Sequence, residues 1–245
     1  MVTERLHEAT HLVGYRTYLS LVPATATGER RPSGNRVEAE RAREALELAA
    51  TGAVVVVVSS GDPGVFAMAS ALLEQFDQHP GRWDEVDVDV LPGVTAALAL
   101  AARAGAPLGH DFSVISLSDV LKPWTLIERR LDAAAGADFV IALYNPRSRH
   151  RPHQLGDALA TIGRHRDPGT VVVVGRNIGR SDEAVTVTTL AELDPERIDM
   201  STVLIVGSSA TRAIARPRQD PIVYTPRRAT ASEHAAGSPD QPHGF

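Results

Sequence analysis

The sequence predicts two consecutive α/β domains, each a mixed sheet with flanking helices, and three observations carry the prediction. Five consecutive valines, Val54 to Val58, run into Ser59-Ser60-Gly61-Asp62-Pro63-Gly64, and apolar residues then recur at helical spacing. A β-branched run of this kind reads as a buried strand covered on both faces, as in a parallel sheet. Strand-like and helix-like stretches go on alternating as far as Val206, the pattern of strands joined by crossover helices. Breaker residues interrupt it once, at Gly105-Ala106-Pro107-Leu108-Gly109, which reads as a linker. An N-terminal domain is therefore expected over 1–107 and a C-terminal domain over 108–228. The small and polar residues of 229–245 are expected to be a disordered tail.

In chain order, residues 3–12 suit a short helix leading into Val13-Gly14-Tyr15. From Arg36 to Ala50, Val37, Ala42, Ala45, Leu46 and Ala49 fall near one helical face, with Glu and Arg on the other. After the valine strand, Asp62 is placed to cap the following helix, with Pro63 at its first position, where no N–H is needed. Gly61 leaves the backbone open to approach. Phe66, Ala69, Leu73 and Phe76 mark that helix, and Val86, Val88 and Val90 alternate with Asp87 and Asp89 as a half-exposed strand should. This strand runs into Leu91-Pro92-Gly93-Val94-Thr95 and an alanine-rich helix from Ala96. The second domain offers strands at 112–117, 138–144, 170–174, 184–187 and 202–206. Helices are expected at 123–134, 152–165 and 190–193.

At 245 residues, with 43% hydrophobic and 22% charged residues, the composition is that of an ordinary globular protein able to bury a sizeable core. A net charge of -5 argues against nonspecific nucleic-acid binding. The absence of cysteine removes disulfides, iron–sulfur clusters and thiolate zinc sites. No apolar run approaches a membrane span, so a cytoplasmic protein without membrane or nucleic-acid partners is expected. Neither dinucleotide-binding nor P-loop glycine patterns occur. His150, His153 and His165 lack a metal-ligand spacing and read as solvated, so no metal is expected. Arg147, Arg149 and Arg151 follow one strand end and Arg176 and Arg180 another. Guanidinium groups there suit a substrate carrying several carboxylates or phosphates.

Ser59-Ser60-Gly61-Asp62-Pro63-Gly64, Leu91-Pro92-Gly93-Val94-Thr95-Ala96, Ser116-Leu117-Ser118-Asp119 and Ala142-Leu143-Tyr144-Asn145-Pro146-Arg147-Ser148 occur in the order seen in the tetrapyrrole methylases. Val13-Gly14-Tyr15-Arg16-Thr17-Tyr18-Leu19 and Ile205-Val206-Gly207-Ser208-Ser209 add to that resemblance, which spans about residues 3–228. The sequence is most similar to the branch that methylates C17 of precorrin-3B in cobalamin biosynthesis, with ring contraction to precorrin-4. The resemblance implies a homodimer of two-domain α/β chains, with S-adenosyl-L-methionine bound in the cleft between the domains. By motif it assigns Gly61, Asp62, Thr95, Ala96, Asn145, Asn177 and Thr202 to the methyl donor. Arg147, Arg149, Arg151 and Arg176 would hold the carboxylates of the ring. No catalytic acid or base is identified; Asp119 and His153 are the candidates. The family's opening strand and Gly-Pro-Gly loop have no counterpart before residue 3, so the first strand of the N-terminal domain is expected to be missing. Two other readings follow from the same residues: a non-catalytic relative that binds the donor or a tetrapyrrole, and a methylase acting at another ring carbon.

Overall fold

A computed structural model describes residues 1–34 and 37–228; the expected tail at 229–245 lies outside the described residues. Contacts divide the chain into two units, Met1–Thr95 and a second starting at Ala96. The division comes before the expected linker, because the helix from Ala96 packs its small apolar side chains on strands of the second unit.

In the first unit the elements are α1 (Val2–Glu8), β1 (His11–Tyr15), α2 (Arg16–Leu19), β2 (Glu29–Ser33), α3 (Glu38–Ala50), β3 (Val55–Val58) and α4 (Met68–Gln78). Strands lie in the order β2-β1-β3, all parallel, with Gly14 facing Pro32 on one side and Val58 on the other. Pro32 has no N–H to donate, and β2 is an edge strand, where that is tolerated. Ala9, Leu12, Leu19 and Ala26 form the buried centre, and Val56 and Val58 pack against it. Parallel strands bind ligands beyond their carboxyl ends, which here are the ends at Tyr15, Ser33 and Val58.

Several expectations for this unit change. The valine strand is half-buried rather than covered on both faces, and Val54 is exposed, because β3 pairs only with β1 among the described residues. The alternation at 86–90 forms no strand, and Val88 and Val90 are exposed. Period-two alternation marks a strand only where a neighbouring edge offers a ladder. The segment 29–33 pairs as a strand although its Arg-Arg-Pro sequence lacks strand character. Helix α4 starts at Met68, so Phe66 precedes it, in a left-handed conformation with φ 52°.

The second unit contains α5 (Ala96–Ala104), β4 (Gly105–Ala106), β5 (Phe112–Ser116), α6 (Trp124–Gly136), β6 (Val140–Tyr144) and α7 (Gln154–Gly163). It continues with β7 (Val171–Arg176), β8 (Ala184–Thr189), β9 (Thr202–Val206), β10 (Arg212–Arg216) and β11 (Gln219–Tyr224). Its main sheet has the order β5-β6-β9-β7-β8, and the smaller one β10-β11-β4. Alternate residues of β6, β7 and β9 face opposite cores. Ile141, Leu143, Val172 and Leu204 pack with α6 and α7, while Val140, Ala142, Val173 and Ile205 pack with α5. Gly105 and Ala106, expected as linker, are drawn into a ladder with Val223 and Tyr224. The expected helix at 190–193 is a turn, followed by one 3-10 turn at Pro195–Arg197. No helix among the described residues is long and apolar enough to cross a membrane.

Candidate functional site

In the first unit, the turn after β3 is built around Asp62. Its Oδ1 accepts the Gly64 N–H at 2.8 Å and its Oδ2 the Gly93 N–H at 3.0 Å. The carboxylate therefore does not cap α4, as the sequence suggested; it ties the 61–64 turn to the 91–94 turn. The two backbones touch. A Cβ on Gly93 would overlap the Gly61 carbonyl oxygen and lie 3.0 Å from its carbon, so only glycine fits. Gly61 is itself left-handed, with φ 68°, and exposed, which leaves its peptide groups accessible. Thr95, next along the chain, is buried at 8% exposure.

In the second unit, β5, β6 and β7 run the same way and β9 runs against them. Their ends at Ser116, Tyr144 and Arg176 therefore share one edge of the sheet with the beginning of β9 at Thr202. Three predicted residues gather there. Asn145 and Asn177 both leave their strands in the left-handed region, each at φ 51°, a conformation Asn tolerates better than most residues. The Asn145 amide nitrogen donates to Ser116 Oγ at 2.9 Å, and that of Asn177 to Asp182 Oδ2 at 2.7 Å. Thr202 is buried and donates to Asp199 Oδ1 at 3.0 Å. Ala96 opens α5, and the next amide, that of Ala97, is taken by the Tyr144 hydroxyl at 2.6 Å.

Asp199 organises this edge, and sequence reasoning missed it. It accepts from Arg176 Nε at 3.0 Å, from the Ser201 N–H at 2.8 Å and from Thr202 Oγ1. Burial pushes its carboxyl up, but those three bonds and the Arg176 charge outweigh it and hold the group below the usual carboxylate range. The available signal was the spacing Asp199-x-Ser201-Thr202, an acceptor followed by its own turn donors.

The arginines separate into different roles. Arg151, expected on the substrate, is 7% exposed. Its guanidinium donates to the carbonyls of Leu117 and Asn145 at 3.3 and 2.9 Å. These bonds, with one from the other Nη to the Met200 sulfur at 3.2 Å, tie the β5 and β6 loops together. Arg147 is ion-paired with Glu196 and also donates to the Pro152 carbonyl. Arg176 is exposed but committed to Asp199. Arg149 is exposed and makes no ion pair or side-chain hydrogen bond with the described residues.

Asp119 accepts from Gln154 Nε2 at 3.1 Å, and His153 is exposed at the start of α7. His165 is tied to Asp132 at 2.8 Å, the bond chiefly responsible for keeping the Asp132 carboxyl below its ordinary range. Among the described residues, no three His, Asp or Glu side chains cluster as metal ligands.

The model of the tetrapyrrole (corrin/porphyrin) methylases matches residues 2–194. The chain belongs to the tetrapyrrole methylases. It is 50% identical over 91% of its length to a precorrin-3B C(17)-methyltransferase from Sinorhizobium sp, covering 88% of that protein. It is 51% identical over 97% of its length to the cobalamin biosynthesis protein CobIJ of Mycobacterium tuberculosis H37Rv, of which it spans 47%. This tetrapyrrole methylase thus has about half the length of some curated relatives it matches. The crystal structure of the methyltransferase CobJ superposes with a TM-score of 0.86, at 49% identity over 92% of both chains. The α/β architecture of the chain is that of this family.

Proposed function

We propose that the chain is an S-adenosyl-L-methionine-dependent C-methyltransferase of cobalamin biosynthesis, methylating C17 of precorrin-3B with ring contraction to precorrin-4. Half-identity to a methyltransferase of that name over nearly the whole of both chains carries the reading. The residues proposed for the donor are Gly61, Asp62 and Thr95 in one unit and Ala96, Asn145, Asn177 and Thr202 in the other, each set taken by itself.

The chain's residues fit such a donor. Gly61 offers bare peptide groups on an exposed turn, and the Asp62 clamp keeps that turn in place before any ligand arrives. Buried Asn177 and Thr202 are fixed by Asp182 and Asp199, so these residues of the second unit are also preorganised. The bound donor supplies a methyl group already electrophilic on its sulfonium. What the protein adds is alignment and exclusion of water. Asp62 acts through the turns it joins, since both its oxygens already accept backbone N–H groups. Arg149 is available for a ring carboxylate, while Arg147 and Arg176 reach one only by exchanging partners. A cytoplasmic homodimer belongs to the same reading, and sedimentation of the purified chain tests its stoichiometry.

The experiment is incubation of the folded chain with methyl-labelled donor and precorrin-3B. Label in the macrocycle at C17 supports the assignment. Label at another carbon, or donor binding without transfer, rejects it in favour of a different methylase or a binding-only relative.

A further inference from the structure

Arg41 lies in the first turn of α3 and is 5% exposed. Its Nε donates to Ser33 Oγ at 2.7 Å, one Nη to the Gly34 carbonyl at 2.6 Å and the other to the Met68 sulfur at 3.3 Å. Ser33 Oγ in turn donates to the Gly14 carbonyl at 3.3 Å. These partners are neutral. Arg41 forms no ion pair with the described residues. Arg166, similarly buried in the second unit, instead has Asp138 at 3.1 Å beside the carbonyls that it caps.

Burying a guanidinium without a carboxylate is costly, because the desolvation is not offset by an opposite charge. The helix makes it worse. The amino end of α3 carries partial positive charge, which disfavours a cation and favours an anion. A thioether is also a poor acceptor for a guanidinium, and a flexible methionine is easily moved. The place is telling: Ser33 ends β2, Gly14 lies near the end of β1, and Met68 opens α4, the helix that follows the 61–64 turn. Arg41 thus sits at the carboxyl end of the parallel sheet, the end where such sheets take ligands.

We propose that Arg41 is a binding residue for a carboxylate of the tetrapyrrole, which displaces the Met68 thioether and supplies the missing negative charge. This rests on the functional reading above and adds a residue to its substrate site.

The test compares wild type, Arg41→Met and Arg41→Lys as full chains in three measurements. These are the thermal midpoint without ligand, calorimetric affinity for S-adenosylhomocysteine, and affinity for uroporphyrin III, a polycarboxylate ring, from quenching of tryptophan emission. Loss of one charge-assisted pair predicts that Arg41→Met weakens ring binding by about 10- to 100-fold, with partial recovery in Arg41→Lys. Donor affinity should stay within about twofold, and the midpoint should hold or rise, since an apolar side chain replaces a buried unpaired charge. A lowered midpoint with unchanged ring affinity would make Arg41 structural and overturn the proposal. Loss of donor affinity instead would assign the carboxylate to the donor's amino-acid end, which also overturns it. A wild type that binds the donor but not the ring overturns it too. A wild type that binds neither sinks the functional reading as well, and this distinguishes the two failures.

Discussion

Replacing Gly93 with alanine places a methyl group where the Gly61 carbonyl stands, so the contact between the two turns must open. The new Cβ would overlap that oxygen and lie 3.0 Å from Gly61 C and 3.4 Å from Asp62 Cα. Those atoms are backbone and cannot rotate away. Overpacking of this kind costs about 1–3 kcal/mol, and opening the contact also breaks the Gly93 N–H bond to Asp62. Asp62→Ala removes both bonds of the clamp. At a half-exposed site each contributes about 1 kcal/mol, below the usual range for bonds to a charged group, or about 2 kcal/mol together. For a chain of this size that lowers the melting temperature by about 4–8 °C. Because the two substitutions break one shared contact, the double variant should lose at least about 0.5 kcal/mol less than the sum of the singles. Urea unfolding read from Trp83 emission, in a Trp124→Phe background, follows the first unit. Calorimetry with S-adenosylhomocysteine should show at least a tenfold loss of affinity in both singles, consistent with a displaced turn. Full additivity, or an Asp62→Ala chain with wild-type midpoint and affinity, would refute the clamp.

Three further outcomes follow from the second unit. Asp199 titrates below its ordinary value in the folded chain, so its contribution is fully present above about pH 4 and is lost as pH falls through the lower folded value. Asp199→Asn should therefore be less stable than wild type at neutral pH, and urea titrations should show the gap closing below about pH 4. Lys122 is the chain's single lysine, and burial, followed by the Arg130 charge, lowers its pKa. The pH midpoint of its acylation rate, followed by mass spectrometry, should lie below the ordinary lysine value of about 10.4; a midpoint at that value contradicts the local electrostatics. The last contrast separates two arginines that look alike in sequence. Arg149→Ala should leave stability within about 0.5 kcal/mol while raising the KM for the ring. Arg151→Ala should cost about 2–4 kcal/mol, because it leaves buried carbonyls unpaired; denaturant midpoints and steady-state kinetics distinguish the two.

The contrast also shows how far the sequence could be read. Val54 to Val58 announced a strand, since β-branched residues suit a pleated backbone. Nothing in five identical side chains says whether the strand is central or an edge. Val86, Val88 and Val90 carry a clear alternation and form no ladder, because pairing depends on a neighbour that local pattern does not describe. The second unit's strands were legible as continuous apolar runs and its helices from their spacing, and Val140 to Leu143 are accordingly all buried, alternate residues entering opposite cores. The insertion of β9 between β6 and β7 was not, and it is this antiparallel placement that brings Thr202 beside Arg176 and toward Asn145. Motif resemblance located Gly61, Asp62 and Gly93, but not the hydrogen bonds that join their turns. Arg41 left a signal that went unread. With Val37, Ala45 and Leu48 it falls at spacings of four, four and three along the helix, the inward stripe, where a charge needs a reason to be.

The place where the methyl donor binds is measured most directly by a crystal structure of the chain with S-adenosylhomocysteine. It should show the ligand against the Gly61–Asp62 turn, within hydrogen-bond reach of its backbone and beside Thr95, with the Asp62 bonds to Gly64 and Gly93 intact. A ligand bound away from that turn, or a turn filled by the protein's own side chains, would contradict the proposed donor site.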